Sequence, residues 1–316
     1  MSDISKNQNH LQATAPDWPG DCIVLVMMET IPHALRAGML SVWLLAGLAG
    51  PVGAAIAVAA PVTSATVELT NAEWTISKTR ISRRTKIAQV HLVNDFEALA
   101  WGLDALGPKG RRKLGRGKAD PRWPRAVFGP GTGLGVAAFV PPAAGGPAAI
   151  AAAGGHATLA AGTMREAEVI GILRARFGHV SAERLLSGPG LANIYTVLSA
   201  LDLHSAEDPP HPGEIACAAR EGSDEIARET VQMFSALLGQ YGGDVALMYG
   251  ARGGVFIGGG VVARLGTAFD KRLFRTRFEA KGRYKTWLGT VPTYLITHPQ
   301  PAMPGLARFL DHARTV

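Results

Sequence analysis

The sequence predicts an α/β protein built from two units. Three observations lead to that class. Short apolar or β-branched segments alternate with helical stretches, each half contains a strand running into a glycine-rich turn, and Asp95 falls where a strand ends and a helix begins. In open α/β sheets ligands bind at the carboxyl ends of strands, so the glycine turns and Asp95 mark the candidate site. At 316 residues the chain accommodates two domains of ordinary size. A content of 47% hydrophobic and 18% charged residues excludes a disordered chain.

Residues 1–20 read as a loose polar tail, without the apolar run of a signal peptide. Residues 21–50 are apolar but lack a clean period. The span 37–67 carries no charge and is long enough for a membrane helix. Gly47, Gly50, Pro51, Gly53 and Pro61 punctuate it, however, and 54–61 reads as a short buried strand forming a hairpin with 65–70. A third strand covers 87–93 and ends at Asn94-Asp95, after which 96–103 starts a helix. Asp95 is then either a site carboxylate or a helix N-cap.

The second unit begins near Val127. Residues 126–128 and 134–140 read as a hairpin around Gly129-Pro130-Gly131-Thr132-Gly133-Leu134-Gly135. Such a tip can aim backbone N–H groups and the Thr132 hydroxyl at one anion, or it can be a plain flexible turn. A helix covers 166–176. Glu183 opens another, expected to break at Ser187-Gly188-Pro189-Gly190. Helices follow at 214–219 and 225–250, the latter with Ile226, Met233, Phe234, Leu237 and Leu238 on one face. Residues 253–260 form a strand entering a glycine cluster and a helix, 293–297 a further strand, and 304–310 the closing helix.

The formal net charge is +7, and 109–118 holds six cations and no anion. No aromatic residue interleaves this run, which therefore reads as a solvated surface insertion in preference to a polyphosphate or nucleic-acid patch. Cys22 and Cys217 lack a near partner or metal-ligand spacing, as in a reduced cytosolic protein. Neither glycine turn fits the G-x-x-x-x-G-K-[ST] loop or the dinucleotide fingerprint. Two such turns, an aspartate at a strand end and no Cys/His cluster suggest nucleotide-phosphate binding, not hydrolysis at a bound metal.

Val93-Asn94-Asp95-Phe96, the Gly129–Gly135 turn, Gly154-Gly155-His156, Glu183-Arg184-Leu185-Leu186-Ser187-Gly188-Pro189-Gly190 and 253–260 resemble, in order and spacing, the bacterial glucokinase family. So do Phe278-Glu279-Ala280-Lys281 and Thr297-His298-Pro299, and the likeness covers about 54–310. The resemblance implies an actin-like ATPase (ribonuclease-H-like) fold, with two domains flanking a cleft. Residues 1–104 would form the smaller domain, 105–299 the larger, and 300–316 a helix returning to the smaller.

It further implies phosphorylation of D-glucose at the 6-hydroxyl by ATP, with Mg2+ carried as Mg-ATP and no metal held by the chain itself. Asp95 would be the general base, while Asn94, His156 and Glu183 would bind sugar hydroxyls. Gly131, Thr132 and Gly133 would face the phosphates, and Gly258, Gly259, Gly260 and Gly305 the adenosine. On the residues alone, His156 reads more readily as a structural or surface residue, Glu183 most simply as a helix-start charge, and the later glycines as close helix–strand packing. The expected setting is cytoplasmic, without nucleic-acid or membrane partners, and with a homodimer among the possible assemblies.

Two departures accompany the resemblance. The family's first phosphate loop, Asp-x-Gly-Gly-Thr-Asn, has no counterpart in 27–50, and Ala153 stands where the family usually has a sugar-contacting glutamate. A shifted reading frame or gene decay over 27–50 would explain the first. The alternatives they raise are a catalytically impaired sugar-binding or regulatory relative, and a hexose kinase of broader specificity.

Overall fold

The computed structural model describes residues 23–28, 53–68, 75–143, 146–202 and 208–315. The polar tail, Cys22 and all but the first two residues of the segment 27–50, where the phosphate loop is missing, lie outside these. Two sheets organise the chain. The first is parallel, in the order β1-β2-β5, with β1 Ile23–Met28, β2 Gly53–Val58 and β5 Gln89–Asn94. Every residue of β2 is buried, as suits an apolar strand covered on both faces. On one face, Ala54, Ile56 and Val58 pack with Val67 and Ile76 of a small hairpin, β3 Thr66–Glu68 and β4 Thr75–Ser77. Helix α1, Lys78–Thr85, leads into β5. The expected hairpin between β2 and 65–70 does not form: β2 takes two parallel neighbours, and β3 pairs with β4 instead.

The second sheet has six strands, ordered β6-β11-β10-β7-β8-β9. β7 Arg125–Pro130, β8 Leu134–Ala143 and β9 Gly146–Ala152 form an antiparallel meander. β10 Gly254–Ile257 lies parallel between β7 and β11 Thr293–Ile296. β6, Arg111–Lys113, pairs antiparallel with β11, so part of the basic run is an edge strand and not a loop. β9 was also absent from the sequence expectation. Its residues alternate between more and less exposed positions at the opposite edge, in an Ala/Gly composition that carries no polar alternation.

Helix α2, Asp95–Gly102, joins the two sheets and is buried from Ala98 onward. Ala98 packs with Ala55, Ala57 and Val93 of the first sheet. Leu99 and Trp101 pack with Val127, Ala137, Phe139 and Phe256 of the second. The closing helix α10, Ala302–Thr315, lies on the first sheet through Leu306 and Leu310 and runs against α2. A Cβ on Gly305 would collide with the Ala98 carbonyl, so the two helices meet backbone to backbone. Asp104 ties the same junction by pairing with Arg125 of β7 at 2.9 Å and Arg308 of α10 at 2.8 Å.

The outer helices of the second unit pack around α6, Glu225–Tyr249, whose buried positions include Phe234, Leu237, Leu238 and Tyr241. They are α3 Met164–Phe177, α4 Gly188–Asp202, α5 Pro212–Glu221, α7 Gly260–Leu265, α8 Lys271–Glu279 and α9 Lys285–Thr290. The helix expected to open at Glu183 and break at Gly188 is reversed: Ala182–Arg184 is one 3-10 turn, and α4 starts at Gly188. Ser187 Oγ accepts the Gly190 N–H at 3.0 Å, and Pro189, in the first turn, needs no hydrogen-bond acceptor. No helix among the described residues is long and apolar enough to cross a membrane.

The contact of α2 with α10 yields a prediction. Gly305→Leu forces backbones apart inside a packed core and lowers stability by about 3 kcal/mol. Urea unfolding followed by circular dichroism measures it. Gly107→Ala, at a position with open space around its Cβ, serves as the control and is expected to change little.

Candidate active site

The site is assembled where α2 begins. β5 ends at Asn94, whose Oδ1 accepts the Phe96 and Glu97 N–H groups at 3.0 and 3.2 Å. Asn94 is thus the N-cap, and Asp95 is the first helical residue. The Asn94 Nδ2 donates to the Ala60 carbonyl at 3.3 Å, tying the cap to the chain leaving β2. Asp95 Oδ1 accepts the Phe96 N–H at 2.9 Å. A carboxylate here sits at the positive end of the helix dipole. Two residues on, within the same first turn, burial pushes the Glu97 carboxyl above its usual range.

The ring of Phe96 lies over Gly135, so α2 and Asp95 are docked directly on the glycine hairpin. There β7 runs to Pro130 and β8 resumes at Leu134, leaving Gly131-Thr132-Gly133 as the tip. The Gly131 N–H donates to the Gly133 carbonyl at 2.8 Å, and the Gly131 carbonyl accepts the Gly188 N–H at 2.8 Å. Thr132 is exposed at the apex. The tip is therefore a fixed turn and not a slack one, with part of its donor capacity already used internally.

Glu183 supplies a further restraint. Its Oε2 accepts the Leu134 N–H at 2.8 Å, and its carboxylate lies against Gly133. The Gly154-Gly155-His156 turn sits beside the same strand, because Gly155 is pressed on the Leu134 carbonyl. His156 is exposed. A short ladder joins its loop to the segment entering Glu183: Ala182 N–H donates to Ala157 O at 2.8 Å and Leu159 N–H to Val180 O at 3.2 Å. Beneath Gly154 lies the hydroxyl of Tyr241, which has no hydrogen-bond partner among the described residues and is held in its neutral form chiefly by burial.

The second glycine turn abuts the first. The Gly258 N–H donates to Phe128 O at 2.8 Å. Gly259 has φ +76°, a conformation that favours glycine, and a Cβ there would strike the Pro130 carbonyl. Gly260 opens α7. The structure thus brings Asn94, Asp95, Gly131, Thr132, Gly133, His156, Glu183, Gly258, Gly259 and Gly260 to one end of the β7–β8–β10 layer. Gly305 lies on α10 with its Cα facing α2, where the close approach of the two helices requires a glycine.

Sequence reasoning missed the network that anchors the loop after His156. Buried Glu166 of α3 accepts from Arg277 of α8 at 2.9 Å and from the Gly162 N–H at 2.6 Å. Arg277 also donates to Gln240 Oε1 at 2.6 Å, and Gln240 Nε2 donates to the Ala160 carbonyl at 2.6 Å. These partners lie far apart in sequence, and no local pattern announces them. Among the described residues no group of three His, Cys, Asp or Glu side chains is gathered around a metal-sized site.

Two α/β units, a carboxylate at the head of the helix joining them and a glycine hairpin docked beside it define the class: a phosphotransferase of the actin-like ATPase fold. Solved structures agree. The chain is similar to a glucokinase from an Antarctic psychrotroph, at 35% identity and TM-score 0.77, over 83% of this chain and 81% of that one. It shares its fold with a ROK family glucokinase from Streptomyces griseus in complex with glucose and AMPPNP, at 19% identity and TM-score 0.55, over 85% and 83% of the two chains.

A family model described as Glucokinase matches residues 28–313. Glucokinase of Paramagnetospirillum magneticum is 41% identical over 309 residues, 97% of this chain and 95% of that relative. Glucokinase of Aromatoleum aromaticum is 44% identical over 270 residues, 84% and 80% of the two. The chain belongs to the glucokinase family.

The Glu166 network carries a prediction. Arg277→Ala leaves a buried carboxylate without its cation and costs about 3–5 kcal/mol in urea unfolding. Arg277→Lys, which keeps the charge, is expected to recover part of that stability.

Proposed function

We propose that the chain transfers the γ-phosphoryl group of Mg-ATP to the 6-hydroxyl of D-glucose, giving glucose 6-phosphate and ADP, with Asp95 as general base. The observation that carries this reading is the docking of Phe96 on Gly135. It places the carboxylate of Asp95, at the head of α2, next to the hairpin whose tip is Gly131-Thr132-Gly133. In the transfer, the 6-oxygen attacks phosphorus and the bond to the β–γ bridging oxygen breaks. The hydroxyl proton passes to Asp95 while ADP departs. A reaction of this kind needs one well-placed proton acceptor, and the remaining work is positioning and charge stabilisation.

In this assignment Asn94 has a double role. Its oxygen caps α2, and its amide, directed to Ala60 O, borders the sugar next to Asp95. His156 and Glu183 contact sugar hydroxyls from the paired segments that follow β9 and α3. Because one Glu183 oxygen already holds Leu134, sugar binding and the shape of the phosphate turn are linked through a single carboxylate. Gly258, Gly259 and Gly260 border the adenosine side. Magnesium enters with the nucleotide, whose phosphates supply much of its coordination.

Ala153, exposed at the start of the His156 turn, offers no donor or acceptor to a sugar hydroxyl. A missing polar contact relaxes discrimination at that hydroxyl, which favours a broader hexose range as the second reading.

The test is a coupled assay for glucose 6-phosphate with wild type and Asp95→Asn, joined to calorimetric titration of glucose. The substitution is expected to lower kcat about 10²–10⁴-fold while glucose still binds. Full activity in Asp95→Asn removes the general-base assignment. A wild-type chain that binds glucose but makes no product is instead the impaired relative.

A further inference from the structure

We propose that the surface built around β6 binds single-stranded nucleic acid. This face is distinct from the sugar site, and the sequence alone gave no aromatic residues to it. The fold supplies them. Past β6 the chain is pinned across two neighbouring elements: the Lys118 N–H donates to Thr290 O at the end of α9, and the Asp120 N–H to Arg252 O at the entry to β10, both at 3.2 Å. These contacts join three segments into one surface, comprising 111–123, the turn at Arg252 and 282–290. Arg112, Lys113, Arg116, Lys118, Arg252 and Lys285 are all exposed there.

The anionic side of this surface is nearly silent. Asp120 is held by Arg122 through hydrogen bonds of 3.0 and 2.9 Å. Glu279, on the neighbouring α8, is taken by Arg275 at 2.6 Å. The cations therefore face solvent with little internal neutralisation. Blunting a sheet edge would account for charge on β6 itself. It does not account for Arg116, Lys118, Arg252 and Lys285, which lie beyond the strand.

Two exposed rings belong to the segments that these contacts join. Trp123 is 41% exposed, with the Arg252 guanidinium over it at 4.7 Å, and Tyr284 is 45% exposed beside Trp287. Between Lys118 and Arg252 opens a cleft of about 440 Å³, lined also by Asp120, Pro121 and Thr290. Cations spread over a strip, with rings among them, suit a flexible phosphate backbone whose bases are free to stack. A compact anion would call for converging donors instead. Half of these cations, Arg112, Arg116 and Arg252, are arginines, whose planar fork matches phosphate oxygens. An inorganic polyphosphate would use the cations but not the rings.

The test is fluorescence anisotropy of a labelled 20-residue oligothymidylate with the full-length protein, titrated over a range of salt concentrations. Binding is expected to weaken steeply with salt, with a logarithmic slope of about −0.7 per phosphate neutralised. The double variant Arg112→Glu/Arg116→Glu is expected to lose at least tenfold in affinity and to flatten that slope, with glucose phosphorylation and the circular dichroism spectrum unchanged. Trp123→Ala and Tyr284→Ala are each expected to weaken the oligonucleotide about fivefold or more, and inorganic polyphosphate hardly at all.

Absence of binding at about 50 mM salt overturns the proposal. So does an equal loss from Arg174→Glu/Arg176→Glu on the remote helix α3, which would reveal attraction by net charge alone. Ring variants without effect overturn the nucleic-acid assignment and leave a polyphosphate surface.

Discussion

Everything at the site hangs on the placement of α2, a helix of eight residues with a sheet on either side and a second helix pressed on its backbone. Its small residues let α10 approach until Gly305 meets Ala98, and that closeness fixes how far α2 stands from the first sheet. The Asn94 cap fixes where the helix begins. Asp95 inherits its position from both. A reactive carboxylate held on such a scaffold spends little free energy on alignment at the moment of reaction.

A second restraint acts across the hairpin. Phe96 seats α2 on Gly135, Glu183 holds the Leu134 N–H, and Gly188 holds the Gly131 carbonyl. The tip is thus fastened to the start of α2 on one side and to the segment before α4 on the other. The 157–159 and 180–182 ladder then carries His156 along with Glu183, while Glu166, Gln240 and Arg277 anchor the far end of the loop. In the proposed reaction the groups for sugar and for phosphate are therefore parts of one hydrogen-bonded unit.

Much of this was legible in the sequence, for local reasons. Val93-Asn94-Asp95-Phe96 joins a β-branched run to a helix start, so the position of Asp95 at a strand end follows from neighbours alone. The Gly129–Gly135 hairpin follows from glycines between two apolar runs. What escaped depended on distant partners or on ambiguous local signals. The bond from Glu183 to Leu134 spans 49 residues, and that from Arg277 to Glu166 spans 111. Ser187-Gly188-Pro189-Gly190 read as a helix break because glycine and proline punctuate helices. Ser187 as a cap with proline just behind it was the contrary signal. β2 read as half of a hairpin because its parallel partners are remote in sequence, and β9 lacked any polar alternation.

The measurement that bears hardest on the proposed chemistry is phosphorus and proton NMR of a reaction containing wild-type chain, D-glucose and Mg-ATP. Phosphate appearing on the 6-oxygen of glucose, in step with ADP and absent when glucose is omitted, is the expected result. ADP released without a sugar phosphate, or phosphate placed on another hydroxyl, would contradict the arrangement of Asp95 beside the glycine hairpin as the transfer site.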